Sequence, residues 1–453
     1  MIMAFDVNGT QYETLSAAIN AANKLNPATL TLLSDAEFTN GYTIKTNLTI
    51  KGKHTLKRGA SFLGALFTVN KGFSLTIDEI CFDGGAEWSL NKELFFDYLY
   101  NNTQCFDNYE LVSHISGPKP TVATINNKGT LHLLNIEMKN LFSVNKGWIV
   151  CAANSITKIE GPYVHNCAVA KGSALVADLS AAGAIYMEEP TLIEENFVGG
   201  NHGIFKLYSQ GWIYYNGGTI RKTYGCDANG VAIGLYSGNM VMNGGLITQN
   251  YGVYGKSNGR CGTIYVHRNS TFTMNGGEIS YNVGGSSGGI DSQTDTIITI
   301  SDGKVIGNYC ANKKHANYSD VRVNGTSYIT GGEYTTALIT DFPDNAKSVG
   351  ITAGASTPDG IIMEVFKAME NFSQMLEGSL KTLHTGETVT GTVFTIGPNE
   401  IKLDLGAKFT GVLTKEQITD DPDAKLSEMF KVGDEVEVFV IRVEDGKGLA
   451  TVS

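Results

Sequence analysis

The chain has 453 residues, 53 Gly, only 9 Pro and a formal net charge of −11 at pH 7. This acidity argues against general binding of nucleic acids or anionic membranes, and no stretch is long and apolar enough to predict a membrane span. The 7 Cys form no CxxC pair. We therefore expect no disulfide framework, no metal site and no cofactor, but reduced core thiols in a protein made in the cytosol.

Residues 1–40 predict a cap for the rest of the chain. After a short strand, residues 16–25 form an Ala-rich amphipathic helix that begins at Thr14 or Ser16 and ends before Asn26. Such a helix covers the open end of a repeat array. The N-terminus has neither a basic n-region nor an apolar h-region, so we expect no standard export signal.

Between residues 212 and 336 the sequence repeats every 26 to 32 residues or so. Each copy has an alternating β-branched and aromatic run, a turn and a second short apolar step, without a helical period. The turn position holds Gly217, Gly244, Gly276, Asp302 and Gly331. Such units bury their apolar side only by stacking in parallel on their neighbours. The pattern predicts an all-β fold with a parallel β-helix over residues 41–340.

Asparagine recurs at a similar offset after the turns. The predicted ladder comprises Asn140, Asn166, Asn201, Asn250, Asn282 and Asn308. Thr223 stands where one copy should have Asn. Stacked amides can hydrogen-bond along the stack, or Asn can simply tolerate a left-handed turn, and the sequence leaves both explanations open.

Residues 90–119 break the repeat with an aromatic and acidic segment. This pattern predicts a loop extruded from one coil. Solenoid insertions often carry binding, but the loop can equally pack its own Phe and Tyr against the solenoid, and both alternatives stay open.

The capping helix and repeats resemble the right-handed parallel β-helix of the pectate-lyase-like superfamily, particularly its adhesin-like members. Its lyases pair an acidic calcium cluster with a basic residue, and its hydrolases present carboxylates on neighbouring rungs. Asp291, Asp295, His267 and Arg322 do not recur at matching offsets in successive copies. We therefore predict no catalytic residues.

After a linker at residues 341–360, a helix is predicted over residues 361–384. Its apolar residues follow a 3,4 spacing for about three heptads: Ile362, Val365, Met369, Phe372, Leu376 and Leu383. Tethering to a rod favours a homotrimeric coiled coil. The alternative is a single amphipathic helix that lies on the last domain.

Residues 385–453 predict a five-stranded OB-fold barrel. The segment resembles the RNA-binding domain repeated in the largest small-subunit ribosomal protein. In that family two aromatic residues and a His form a stacking face, but these positions hold Asn399, Lys402 and Thr414, and only Asp445 is kept.

A reduced binding patch remains, formed by Phe394, Lys408 and Phe409 together with Asp445. Residues 376–453 contain 8 Lys or Arg against 14 Asp or Glu, a net charge of −6. Stacking and cationic side chains supply most single-strand affinity. We therefore expect that nucleic acid is not a partner of the barrel, and that the barrel contacts protein or a surface receptor.

Three classes of function fit these observations. A bacteriophage fibre or tailspike-like virion protein, assembled in the host cytoplasm with other virion proteins and binding a host-surface glycan or receptor, reconciles the repeats with the missing export signal. A bacterial cell-surface adhesin and a β-helical polysaccharide lyase or hydrolase are the alternatives. RNA binding through the barrel is a fourth.

Overall fold

The computed structural model describes residues 3–452 except 102–108, 173, 180, 201–202, 254–261, 286, 312–319, 335–336, 340–384, 406–409, 420, 422–423 and 445–448. The chain divides into two compact units, Met1–Gly354 and Ala355–Ser453. The predicted linker and the heptad helix lie outside the described residues.

The first unit is a parallel β-solenoid of about ten turns built from three long sheets. Sheet A comprises, in spatial order, Thr10–Tyr12, Phe5–Val7, Ala28–Leu32, Leu48–Lys51, Ser74–Asp78, Thr130–Leu134, Ile156–Glu160, Ala184–Glu188, Trp212–Tyr215, Asn239–Met242, Thr271–Met274, Ile297–Ile300 and Thr326–Ile329. Sheet C comprises Tyr42–Ile44, Phe67–Val69, Ile125–Asn127, Ile149–Cys151, Ala177–Leu179, Phe205–Tyr208, Gly230–Tyr236, Gly262–Val266, Ile290–Ser292, Val321–Val323 and Ala337–Ile339.

Sheet B has a main path and a side path. The main path comprises Ala36–Phe38, Thr55–Arg58, Cys81–Asp83, Glu137–Lys139, Tyr163–His165, Leu192–Gly199, Thr219–Cys226, Leu246–Thr248, Glu278–Ser280, Lys304–Ile306 and Glu333–Tyr334. The side path adds Phe142–Ser143, Ala168–Val169, Tyr251–Val253, Val283–Gly284 and Tyr309–Cys310. These strands pair in parallel, whereas Phe5–Val7 pairs antiparallel with both of its neighbours.

The alternation of apolar and polar residues creates this architecture. Leu133, Ile159 and Met187 occupy the same register position on three successive turns of sheet A, and all three are buried. Within each strand, the residues directly before and after these face outward, since successive side chains of a strand point to opposite faces. One continuous core therefore runs along the solenoid, and the predicted all-β parallel solenoid is confirmed.

The turns explain why Asp302 replaces glycine in one repeat. The left-handed backbone belongs to the second residue of each turn, at Gly218, Gly245, Gly277, Gly303 and Gly332. Glycine adopts positive φ without the penalty of a Cβ. The unbroken glycine position is therefore one residue after the one that the repeat pattern suggested.

A short helix, Leu15–Ala22, follows the first two strands at the N-terminal end of the solenoid. The Thr14 side chain accepts a hydrogen bond from the Ala17 N–H at 3.2 Å and caps the helix. The helix ends at Ala22, earlier than predicted, and the amide of the next residue, Asn23, donates to the Thr43 carbonyl of the next coil at 2.8 Å.

The insertion packs against the solenoid flank. Its strands Glu87–Leu90 and Val112–Ser116 pair antiparallel, and between them lies the helix Lys92–Tyr100. The Phe95 ring is buried and meets the Tyr224 ring edge-on at 5.3 Å. In the described part, the insertion thus contributes to a second apolar cluster.

The second unit contains a closed barrel of five strands, as the sequence predicted. The strands are Thr388–Ile396, Glu400–Asp404, Thr410–Thr414, Glu435–Glu444 and Leu449–Val452. Two short helices, Lys415–Ile418 and Leu426–Met429, connect the third and fourth strands. The barrel has its own apolar core.

Candidate functional site

One outward-facing row of residues crosses the barrel wall. Strand pairing aligns Thr395 with Lys402, Lys402 with Val412, Val412 with Thr451 and Thr451 with Arg442. Their sequence neighbours in the strands point into the core, as in the case of Leu403, Leu413 and Ala450. Side chains that alternate in this way leave the row on the outer surface. We call these five residues the barrel row.

Phe394 lies at the end of the barrel row. The register shifts between Val393 and Thr395, and this bulge leaves Phe394 46% exposed. A bulge redirects the side chain of the extra residue. Phe439 is equally exposed at 46%, but it pairs with Thr388 at the other end of the first strand.

The barrel row carries two cationic side chains. The Lys402 Nζ atom lies 3.9 Å from Glu400 Oε1, a weak contact at the edge of ion-pair range. Arg442 is exposed on the fourth strand. From the sequence, Lys402 is only a lost aromatic position and Arg442 does not stand out, because the pairing that places them in one row joins strands distant in sequence.

The other predicted positions of the barrel have different environments. Asn399 and Thr414 line a cleft of about 690 Å³ together with Glu400, Lys415 and Glu416. The Thr414 hydroxyl lies 3.0 Å from Gln417 Oε1 at the start of the short helix, so it has a local capping contact. Lys408, Phe409 and Asp445 lie outside the described residues.

The structure divides the predicted Asn ladder into two neighbouring positions. Asn140 and Asn166 have left-handed backbones, and Asn166 Nδ2 donates to Asn140 Oδ1 at 2.7 Å. Asn250, Asn282 and Asn308 lie one position later in their coils and form what we call the buried ladder. Left-handed turns and stacked amides thus both occur, at different residues.

In the buried ladder each amide serves the next. Asn250 Nδ2 donates to Asn282 Oδ1 at 2.9 Å, and Asn282 Nδ2 donates to Asn308 Oδ1 at 2.9 Å. Asn308 Nδ2 in turn donates to Asp320 Oδ1 at 2.8 Å. Thr223 joins the series through its N–H, which donates to Asn250 Oδ1 at 3.1 Å. Asn201 lies outside the described residues.

The acidic residues considered for catalysis have structural contacts. Arg322 Nη1 lies 3.6 Å from the buried Asp291 Oδ1, and strand pairing aligns these two residues on adjacent turns. Asp295 has a left-handed turn backbone. The His267 ring packs 5.5 Å from the Tyr236 ring.

Cysteine chemistry departs from the expectation at one position. Cys81, Cys151, Cys167 and Cys310 have free thiols, whereas Cys226 is disulfide-bonded. Burial raises the pKa of Cys151 and of Cys167 to about 12. These two thiols therefore stay protonated at neutral pH.

The described residues contain neither a cluster of metal-binding side chains nor a membrane-spanning helix. Within the described ranges, no group of three or more His, Cys, Asp or Glu side chains is placed to hold a metal ion. No helix in the same ranges has the length and apolar character that a membrane span requires.

Comparison with known proteins identifies the barrel. Residues 382–453 match the model of the S1 RNA binding domain. The chain is 33% identical over 79 residues to the small ribosomal subunit protein bS1 of Mycolicibacterium smegmatis, covering 17% of this chain and 16% of that protein. The C-terminal part of the chain therefore carries an S1 domain, and these matches point to RNA binding there.

Two further proteins share a segment with the chain. It is 31% identical over 118 residues to the 4-hydroxy-3-methylbut-2-enyl diphosphate reductase of Clostridium acetobutylicum, covering 23% of this chain and 18% of that protein. The solution structure of GSP13 from Bacillus subtilis shares 26% identity over 16% of this chain and 57% of that chain, with a TM-score of 0.15. The chain spans less than a fifth of the length of the two curated relatives named here.

Proposed function

We propose that the C-terminal barrel binds single-stranded RNA along the barrel row. The observation that carries this proposal is the match of residues 382–453 to the S1 RNA binding domain. This proposal replaces the sequence-based expectation that the barrel contacts protein or a surface receptor and not nucleic acid. That expectation rested on lost aromatic residues and on the acidic balance of the barrel, and it did not include the row that holds both Lys402 and Arg442.

The chemistry of the row suits an unstacked strand. The exposed Phe394 ring offers a stacking surface for one base, worth about 1 to 3 kcal/mol. Lys402 and Arg442 lie three strand spacings apart round the closed barrel wall, about 14 Å, so each provides charge for a separate phosphate. The Thr451 hydroxyl adds a hydrogen-bonding group between them, and the Thr395 hydroxyl adds another on the other side of Lys402.

The acidic balance of the barrel limits the affinity. Many of its carboxylates belong to residues 415–437, the segment that contains the two short helices and the start of the fourth strand. These carboxylates repel phosphates and so weaken binding. Salt limits this repulsion to a distance of about 8 Å at physiological ionic strength. We therefore expect micromolar rather than nanomolar binding.

The test is fluorescence anisotropy of the full chain with a labelled single-stranded RNA of about 12 nucleotides, within the site size of an OB fold. Phe394→Ala should weaken binding about 5- to 150-fold. Phe439→Ala is the matched control, because it removes an equally exposed ring about 20 Å along the barrel, and it should have no effect.

A charge variant tests the phosphate contacts separately. Lys402→Gln should reduce the slope of log affinity against log salt by about 0.7, the value for one phosphate contact on a single strand. A wild-type dissociation constant above about 1 mM, or equal losses in the two Phe variants, would contradict the proposal.

For the solenoid we propose a recognition role, in a bacteriophage fibre or tailspike-like virion protein that binds a host-surface glycan or receptor without cleaving it. The support is the resemblance of the repeats and the long outward-facing sheets. A cell-surface adhesin and a polysaccharide-cleaving enzyme are the alternatives. Immunogold electron microscopy of purified phage particles and of bacterial cells distinguishes a virion protein from a cell-surface adhesin. Absence of label on both the particles and the cells would contradict both of these roles.

A further inference from the structure

The outer face of sheet A carries a short, dense patch of side chains on three successive turns. Strand pairing aligns the outward residues of Ile156–Glu160, Ala184–Glu188 and Trp212–Tyr215 in columns. Two columns hold Ile156, Ala184 and Trp212, and Lys158, Tyr186 and Tyr214. With turns about 4.8 Å apart and outward residues about 6.6 Å apart along a strand, the patch suits a short oligosaccharide.

Aromatic rings form the part of this patch that lies on the second and third of the three turns. The Tyr186 and Tyr214 rings stack at 4.9 Å with an angle of 12° between them. Trp212, which is 38% exposed, stacks on Tyr214 at 5.8 Å and 12°. Since Tyr214 covers one face of the Tyr186 ring, the opposite face borders the preceding turn.

A cleft of about 780 Å³ begins on that preceding turn and extends over the two turns that follow it. Its lining includes Ile156, Lys158 and Tyr186, and Ile156 is 38% exposed. Ala184 lies between Ile156 and Trp212 in its column, and its small side chain leaves space between these two larger ones. An aromatic wall and an apolar floor are thus open to a ligand from outside the solenoid.

Carboxylates form one edge of the cleft. Glu160 and Glu188 are aligned on adjacent turns, and Glu189 also lines the cleft. The Asn216 Nδ2 atom donates to Glu188 Oε1 at 2.7 Å, and Glu160 Oε2 lies 3.1 Å from His132 Nε2. These contacts orient the carboxylates and leave oxygen lone pairs that can accept hydroxyl hydrogens.

We propose that this cleft binds a neutral oligosaccharide. The apolar face of a sugar ring would pack against Tyr186, and its hydroxyls would donate to Glu160 and Glu188. Three carboxylates face a single ammonium group, that of Lys158, so the cleft repels uronates and other acidic sugars. The inference deepens the recognition role proposed for the solenoid and is independent of RNA binding by the barrel.

A glycan array that carries neutral and uronate-containing oligosaccharides, probed with the full chain, tests the ligand class. Isothermal titration then measures the best neutral ligand against variants. Tyr186→Ala should weaken binding about tenfold. Glu188→Gln, which keeps an oxygen acceptor for Asn216, should weaken it by a similar factor because it removes a charge-assisted hydrogen bond.

Tyr328→Ala is the matched control. Tyr328 belongs to the same outward column as Tyr186 and is 52% exposed, but it lies five turns away, about 24 Å. Its affinity should equal that of the wild type. Unchanged thermal unfolding of Tyr186→Ala confirms that the solenoid is intact.

Three results would overturn the inference. These are a preference for acidic glycans, equal binding by Tyr186→Ala and wild type, and shortening of the bound oligosaccharide, which would assign Glu160 and Glu188 to hydrolysis. If the protein is found on particles or cells but binds no neutral glycan, the proposed glycan site is wrong, whereas the proposed recognition role of the solenoid is retained.

Discussion

Replacing Asn282 by Ala should destabilise the solenoid far more than the same change at Asn275, in the same repeat. The Asn282 side chain is fully buried and takes part in four hydrogen bonds. Its Nδ2 donates to Ile247 O and Asn308 Oδ1, and its Oδ1 accepts from the N–H and Nδ2 of Asn250, all at 2.9 Å.

The magnitude follows from the groups that lose partners. In Asn282→Ala the buried N–H of Asn250 loses its acceptor, at a cost of about 1 to 3 kcal/mol. Asn250 Nδ2 keeps its bonds to Ile220 O and Thr248 O, so its loss is smaller. Adding about 0.5 to 1.5 kcal/mol for the remaining bonds, we expect a loss of about 3 kcal/mol.

Asn275 provides the matched comparison. It belongs to a second, exposed ladder, in which Asn275 Nδ2 donates to Asn243 Oδ1 at 2.9 Å and Asn243 Nδ2 donates to Asn216 Oδ1 at 2.8 Å. Water can replace these bonds because Asn243 and Asn275 are exposed. Asn275→Ala should therefore cost no more than about 0.5 kcal/mol.

Urea unfolding followed by tryptophan fluorescence measures both changes. All 3 Trp belong to residues 88–212, so the signal reports the solenoid and not the barrel. Trp148 is buried in the core and should respond to loss of packing. Equal destabilisation by the two variants would refute the argument that burial sets the cost of a lost amide.

Two further predictions concern acid stability and assembly. Partial burial alone raises the pKa of Glu137, but hydrogen bonds with His165, Cys81 and Lys139 outweigh it and lower the pKa to about 2. Because this value lies below the unfolded one of about 4.3, the stabilisation is present above pH 4 or so and is lost as the pH falls toward 2. Glu137→Gln should thus cost about 1 kcal/mol at pH 7 after solvent screening and nothing near pH 2, and an equal cost at both pH values in urea titrations would exclude the mechanism. The heptads predict a homotrimer. The double variant Met369→Asp with Phe372→Asp should dissociate it without unfolding the solenoid. If native mass spectrometry and light scattering show that the wild-type chain is a monomer, the prediction of a coiled coil is wrong.

The repeat pattern was sufficient to predict the solenoid, because each coil obeys short-range rules. Alternating apolar residues define the inward face, and the glycine turns define where each strand ends. The barrel was equally predictable from its strand pattern. The repeat period did not show which Asn residues form the buried ladder. The left-handed turn position and the buried amide position are adjacent in each coil, and both accept Asn, as Asn166 and Asn250 illustrate.

Only the tertiary structure determined which residues meet across turns. Glu160 and Glu188 are 28 positions apart in sequence and become neighbours on adjacent strands, as do Tyr186 and Tyr214. The sequence pattern did not single out this Glu pair, because surface carboxylates are common and only the strand register shows which of them are aligned on adjacent turns. The sequence determined the fold through local alternation, whereas strand register decided the composition of the outer surfaces.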